Sequence, residues 1–159
     1  MRTLTNKQFY AIGKRLMARD PKLAHKLLST WESEVILPKE TDLSKIEFFF
    51  SNFCLLQDIE PEEYRGAIVN RAKSAIRKMF VACMLQIYWP MIFKPQAQFL
   101  IRTRGIVRAL SRELQVKEAN ISKMIKEVVQ WHQLYDDFRG KVNELTEKIL
   151  QINEQAVIT

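Results

Sequence analysis

The scarcity of turn-forming residues is the feature that most restricts the fold of this chain. Only four glycines and five prolines occur among 159 residues, and no Asn-Gly or Asp-Gly pair signals a β-hairpin. Apolar residues recur instead at the three- and four-residue spacing of amphipathic helices. The sequence therefore predicts an all-α fold, in which an N-terminal helical bundle precedes two helices joined by a short turn and a long C-terminal helix.

Start signals for four helices occur in the N-terminal half of the chain. The fourth is the clearest, because Pro61 precedes Glu62 and Glu63, whose carboxylates complement the dipole of a first helical turn. An amphipathic pattern continues from there to about Trp89. The run of aromatics at 48–50 also permits a short buried strand, although no partner strand is visible. The earlier helices are predicted to begin after Thr5 or Asn6, at Asp20-Pro21, and after Asp42 or Ser44.

Two prolines interrupt the helical pattern near the middle of the chain and mark the best candidate for a domain boundary. Pro90 and Pro95 bracket a four-residue segment, and helical spacing resumes beyond it. The pattern predicts a helical N-terminal domain over 1–94 and a second domain over 95–159, with one single domain as the open alternative.

The net charge of +7 is concentrated in the middle of the sequence. Residues 64–126 hold thirteen basic and two acidic residues, whereas residues 30–63 hold two basic and nine acidic ones. Clustered cations attract polyanions, because binding releases counterions from the polyanion. The pattern favours nucleic-acid binding, against an alternative in which a solvated basic face only keeps the protein soluble. The acidic segment is interpreted as a second solvated face, or as a patch that contacts the basic block.

The sequence argues against catalysis and against a metal site. It contains no glycine-rich phosphate loop, no His-x-x-x-His pair and no Gly-x-Ser-x-Gly elbow. Cys54 and Cys83 lie in apolar runs without a Cys or His at metal spacing, so both are interpreted as reduced core residues. We therefore expect no enzyme activity, no catalytic residues, no metal and no cofactor.

The longest uncharged run, residues 79–93, contains Pro90 and is shorter than the ~20 apolar residues that a membrane-spanning helix requires. The N-terminus lacks the apolar segment of an export signal. These observations predict a cytoplasmic protein without membrane insertion.

The segment 110–125, LSRELQVKEANISKMI, has the spacing of two helices packed steeply around a tight turn. Ser111 supplies the small residue where the helices meet, and Gln115 occupies a turn position that requires a left-handed backbone. A non-glycine residue at that position costs about 1 kcal/mol. Lys117 stands where the second helix needs a cap and cannot accept the capping hydrogen bond. The inward apolar positions are Leu110, Leu114, Val116, Ile121, Met124 and Ile125.

This segment resembles the helix-turn-helix of Cro-like and lac-repressor-like regulators, over about residues 104–126. The resemblance implies a small transcriptional regulator that binds double-stranded DNA, with a recognition helix of about 117–126 in the major groove. The base-contacting residues would be Lys117, Glu118, Ala119, Ser122 and Lys123, with Ala119 able to touch a thymine methyl. The phosphate-contacting residues would be Arg104, Arg108, Arg112 and Lys126.

A second interpretation is a non-catalytic interaction or adaptor protein, whose basic face binds an acidic protein or a membrane surface. In that case the segment 104–125 is two core helices joined by an ordinary turn. Binding to DNA should weaken steeply with salt, whereas an adaptor need not bind duplex at all.

The C-terminal third carries a sustained apolar seam from Ile121 to Ile152, at alternating steps of three and four residues. It predicts that the recognition helix is continuous with, or closely followed by, another long helix, with Gly140 as a candidate break. The seam must be buried. One option is a homodimer formed through its 128–152 portion, and the other is packing on the chain's own N-terminal helices.

Overall fold

A computed structural model of the chain describes residues 6–24, 26, 36–94 and 103–158. The chain forms two compact units, Met1–Ile36 and Leu37–Thr159. Throughout the described residues the regular structure is helical and no strand occurs, which confirms the predicted all-α class. None of the helices in this part of the chain is long and apolar enough to cross a bilayer.

Six α-helices are named here in chain order. They are α1 (Asn6–Arg19), α2 (Ile46–Gln57), α3 (Arg71–Tyr88), α4 (Ile106–Leu114), α5 (Glu118–Leu134) and α6 (Asp136–Ile158). Short 3-10 helices occupy Leu43–Lys45, Pro61–Tyr64 and Pro90–Phe93.

The first unit contains α1 and the start of a second helix. The Oδ1 of Asp20 accepts a hydrogen bond from the backbone N–H of Leu23 at 3.0 Å, and residues 21–24 are helical. This confirms the predicted start at Asp20-Pro21. The candidate cap Thr5 and residues 27–35 of the predicted second helix lie outside the described residues.

The second unit begins with a capped helix start that the sequence predicted correctly. Asp42 accepts a hydrogen bond from the backbone N–H of Ser44 at 3.0 Å, and α2 follows one short 3-10 turn later. Phe49, Phe50 and Phe53 belong to α2 and have buried side chains. The aromatic run is therefore helical, and the strand alternative is wrong.

The predicted start of the fourth helix at Pro61 is wrong. Pro61–Tyr64 forms only a 3-10 turn, and the backbone of Arg65 is extended. The α-helix α3 begins ten residues later at Arg71, where the side chain of Asn70 accepts from the N–H groups of Ala72 and Lys73. A side-chain oxygen at the N-cap accepts hydrogen bonds from the first N–H groups of a helix. Proline and glutamate are common in a first helical turn but do not make these hydrogen bonds.

The core of the second unit surrounds α3. Every residue from Phe80 to Leu85 is fully buried, and α3 contacts α5 and α6. Phe80 stacks at a tilt against Phe50 and Phe53 of α2, with ring centroids 4.8 and 5.3 Å apart. This unit extends across the sequence position 94/95 that was predicted as a domain boundary, and residues on both sides share one core.

The two C-terminal helices are separated at Tyr135, whose backbone is extended between α5 and α6. Gly140 lies inside α6, so the predicted break at Gly140 is wrong. The guanidinium of Arg139 donates to the carbonyl of His132 at 3.1 Å and so satisfies the end of α5. The ring of His132 stacks on Phe93 with centroids 4.1 Å apart.

The predicted seam is largely buried within the chain itself. Val142, Leu145 and Ile149 of α6 are buried, and this helix contacts α2, α3 and α5. Ile152 is half-buried and Tyr135 is exposed. A long helix follows α5 closely, as predicted, and most of the seam is covered by the chain's own helices.

Candidate nucleic-acid interface

The turn between α4 and α5 adopts the left-handed conformation that the sequence predicted for it. Gln115 has φ 54° and ψ 45°, and the carbonyls of Ser111 and Arg112 accept hydrogen bonds that close the end of α4. The hydroxyl of Ser111 donates to the carbonyl of Val116 at 2.6 Å. This side-chain contact fixes the chain direction immediately after the turn.

The second helix of the pair begins without a side-chain cap, also as predicted. Lys117 is extended, and its side chain makes no capping hydrogen bond to the first turn of α5. The carbonyl of Lys117 accepts from Asn120 and Ile121 at 2.9 and 3.2 Å, which begins the helical ladder. Glu118 supplies the one carboxylate in this first turn.

The inner faces of α4 and α5 form part of the common core. The predicted inward residues are buried, except Val116, which is half-buried. Ile106 of α4 and Val128 of α5 extend this buried surface in both directions. Since the inner faces are fixed by packing, the orientation of the outer faces is fixed as well. The buried predicted residues are Leu110, Leu114, Ile121, Met124 and Ile125.

The C-terminal end of α4 is held by the loop that precedes α3. The guanidinium of Arg65 donates to the carbonyl of Glu113 at 3.1 Å and contacts its carboxylate at 2.6 Å. The N–H of Gly66 donates to the carbonyl of Leu114 at 2.7 Å. Arg77 in turn donates to the carbonyl of Gly66 at 2.5 Å. The bonds to Glu113 and Leu114 satisfy carbonyl groups that a helix end leaves unpaired.

Several residues of the basic block therefore have structural roles that the sequence did not reveal. Arg77 is buried, and this burial lowers the pKa of its guanidinium. Lys78 pairs with Glu127 and lies over the ring of Trp131 at 4.9 Å. Lys73 pairs with Glu63 at 2.7 Å, so part of the acidic segment does contact the basic block.

All nine residues predicted to contact DNA are exposed. We call six of the exposed positions the α5 outer face: Lys117, Glu118, Ala119, Ser122, Lys123 and Lys126. Of the other three, Arg108 and Arg112 are on α4, and Arg104 lies in the turn before it.

One cation beside the α5 outer face has a carboxylate partner. The Nε of Arg108 lies 3.4 Å from Glu118, and both side chains are exposed, so this ion pair is weak. Among the residues that the structure describes, no carboxylate pairs with the remaining cations. These are Arg104, Arg112, Lys117, Lys123 and Lys126.

Both cysteines lie in the core of the second unit. Cys54 and Cys83 are both buried and unpaired in disulfides. Burial raises the pKa of the Cys54 thiol to about 11 and that of Cys83 to about 12. Both are therefore unreactive thiols at neutral pH. In the described part of the chain, no cluster of three or more histidine, cysteine or acidic residues is arranged to hold a metal ion.

Comparison of the chain with protein-family models, with curated proteins and with solved structures gives no match. The function of the protein is accordingly inferred from the chemistry and geometry of the surface just described.

Proposed function

We propose that the protein is a DNA-binding regulator, which places the α5 outer face in the major groove of double-stranded DNA. The observation that carries the proposal is the group of five exposed cations, on and just before a helix pair whose opposite faces are buried, for which the described part of the chain offers no ion pair. Such cations keep their full charge for phosphates, and binding gains free energy from the counterions that it releases.

The position of each side chain decides whether we assign it to a base or to a phosphate. Lys117, Ala119, Ser122 and Lys123, with Glu118, lie at the start of α5, where a recognition helix meets base edges. Arg104, Arg108, Arg112 and Lys126 flank that start and would contact phosphates. The uncapped N–H groups of the first turn of α5 add partial positive charge at the same end.

The ion pair between Arg108 and Glu118 allows a carboxylate to lie on a surface that binds phosphates. Glu118 would repel phosphates if it were alone, and the guanidinium of Arg108 at 3.4 Å reduces that repulsion. In the groove, Glu118 can accept a hydrogen bond from a cytosine amino group. We therefore expect Glu118→Gln to change the preferred sequence more than the affinity for random duplex.

The direct test is fluorescence anisotropy with a labelled random-sequence duplex, titrated with salt from about 50 to about 300 mM. We expect micromolar binding at low salt and a linear fall of log K with log salt concentration. The double variant Lys117→Ala and Lys123→Ala should weaken binding, whereas Arg112→Ala should reduce the steepness of that fall by about 1, because Arg112 is assigned to a phosphate.

A matched control removes the same charge elsewhere. Lys39 and Lys141 are also exposed, and neither belongs to the helix pair. The variant Lys39→Ala with Lys141→Ala should bind as the unaltered protein does, apart from the small effect of net charge. Equal losses of affinity in the two double variants would show that only total charge matters, and absence of binding at about 50 mM salt would refute the proposal.

A homodimer is the second part of the proposal, because a two-fold dimer suits two half-sites on DNA. Most of the 128–152 seam is buried in the single chain, so a dimer must use what remains exposed, such as Leu134 and Tyr135 at 63% and 56% exposure. Light scattering on the purified protein tests this directly. If the chain binds an acidic protein but not duplex, the adaptor interpretation replaces the regulator.

A further inference from the structure

The first unit carries an amphipathic helix whose apolar side is open. Within α1, Tyr10, Ile12 and Met17 are 68%, 50% and 46% exposed, and Leu16 is half-buried. At 3.6 residues per turn, these four side chains fall within one half of the helix circumference. A helix of 14 residues has little stability in water by itself, and an apolar face gains stability only when it is covered.

The opposite side of α1 is basic. Lys7, Lys14, Arg15 and Arg19 are all exposed, and the helix contains no acidic residue. The ammonium of Lys14 lies 5.3 Å from the centre of the Tyr10 ring, at the border between the two faces. Tyrosine and lysine at such a border place their apolar parts inward and their polar ends toward water.

We propose that α1 binds the surface of an anionic lipid membrane. A basic amphipathic helix lies in the plane of the interface, with its apolar face at the level of the upper acyl chains and its cations among the headgroups. Anionic headgroups attract each cation near the surface, so the two faces of α1 would be satisfied by one partner. This surface belongs to the first unit and the α5 outer face to the second, and the inference does not depend on DNA binding.

Charge decides between this partner and two others. Duplex DNA attracts the cations of α1 but has no surface that covers an apolar helix face. A second copy of α1 could cover the apolar face, but it brings no anionic group to the four cations, because α1 contains no acidic residue. An anionic membrane covers the apolar face and neutralises the cations at once.

The test uses the full chain in a vesicle flotation assay, with phosphatidylcholine vesicles and with vesicles that contain about 30% phosphatidylserine. We expect binding to the anionic vesicles that is at least about tenfold tighter than to the neutral ones. The variant Ile12→Gln with Met17→Gln keeps charge and helix propensity, and should weaken binding about tenfold. The variant Arg15→Gln with Arg19→Gln should weaken binding about tenfold on anionic vesicles only.

Lys117→Ala with Lys123→Ala is the control, because it removes two cations from the other unit. It should bind vesicles as the unaltered chain does, while Ile12→Gln with Met17→Gln should retain DNA binding. Absence of vesicle binding, or binding that the apolar variant leaves unchanged, would overturn the proposal. So would a dimer that only the apolar variant dissociates. None of these three results bears on the DNA proposal.

Discussion

Replacement of Gln115 by glycine should stabilise the protein, because this residue holds a left-handed backbone. Its φ of 54° brings the Cβ of an L-residue close to the following carbonyl oxygen, at a cost of about 1–2 kcal/mol. The Gln115 side chain is exposed, and among the described residues none of the side-chain hydrogen bonds of the turn involves it. The substitution therefore relieves strain and removes no side-chain hydrogen bond of the turn.

The expected gain is smaller than the strain, because glycine also makes the unfolded chain more flexible. That flexibility costs about 0.5–1 kcal/mol on folding. The net effect of Gln115→Gly is therefore a rise of about 0.5–1 kcal/mol in the free energy of unfolding. For a unit of this size, that corresponds to a rise in Tm of about 2–4 °C.

Thermal and urea unfolding, followed by circular dichroism, measure this effect. Ser122→Gly is the matched control, since Ser122 is exposed and lies inside the right-handed helix α5. It incurs the flexibility cost without any relief, so its free energy of unfolding should fall by about 0.5–1 kcal/mol. If both variants lose stability equally, the left-handed strain assigned to Gln115 is absent and the turn is not built as described.

Two further predictions concern the supports of the helix pair. Burial, and then the charge of Arg139, lower the pKa of His132 below its ordinary value of 6.5. Protonation therefore favours the unfolded chain, so stability should fall as the pH drops below about 6.5, and His132→Gln should flatten a plot of Tm against pH. Arg65→Gln removes a half-buried ion pair and a hydrogen bond to the carbonyl of Glu113, and should cost about 2 kcal/mol in urea unfolding. Lys148→Gln, which breaks an exposed pair, should cost less than about 0.5 kcal/mol; equal losses of stability would contradict the role given to Arg65.

The features that the sequence predicted well are the start of α2 and the apolar faces of α4 and α5, although neither α4 nor α5 begins with a side-chain cap. The start of α2 was evident from Asp42, and the inward positions of α4 and α5 followed from their spacing alone. The start of α3 was missed, because Pro61 and its glutamates match the composition of a first turn. Asn70, which actually caps the helix, gave a weaker signal in a single sequence.

The break between α5 and α6 was misplaced for a different reason. The apolar seam continues through Tyr135 in phase, so its periodicity shows no interruption where the backbone becomes extended. The break was predicted at Gly140 because glycine disfavours helices, but a glycine inside a helix costs only about 1 kcal/mol. The break depends on tertiary packing, since α6 contacts α2 and α3 as well as α5.

The exposure of the candidate residues was predicted from the sequence, but the contacts that hold α4 in place were not. Local spacing sufficed to place Lys117 and Lys123 on the outside of α5. The contacts of Arg65 with Glu113 join residues 48 positions apart, and no local pattern encodes such a pair. The sequence therefore overstated the number of cations available at the surface, because Arg65 and Arg77 are used within the fold.

The separation of α5 into a buried inner face and an exposed outer face also bears on how such a protein can change over generations. Ala119, Ser122 and Lys123 contact solvent, whereas Ile121 and Ile125 hold the core. Substitutions at the exposed positions usually alter stability by less than about 0.5 kcal/mol. The exposed side chains of this helix can therefore be replaced one at a time during evolution, while the unit that contains the helix continues to fold.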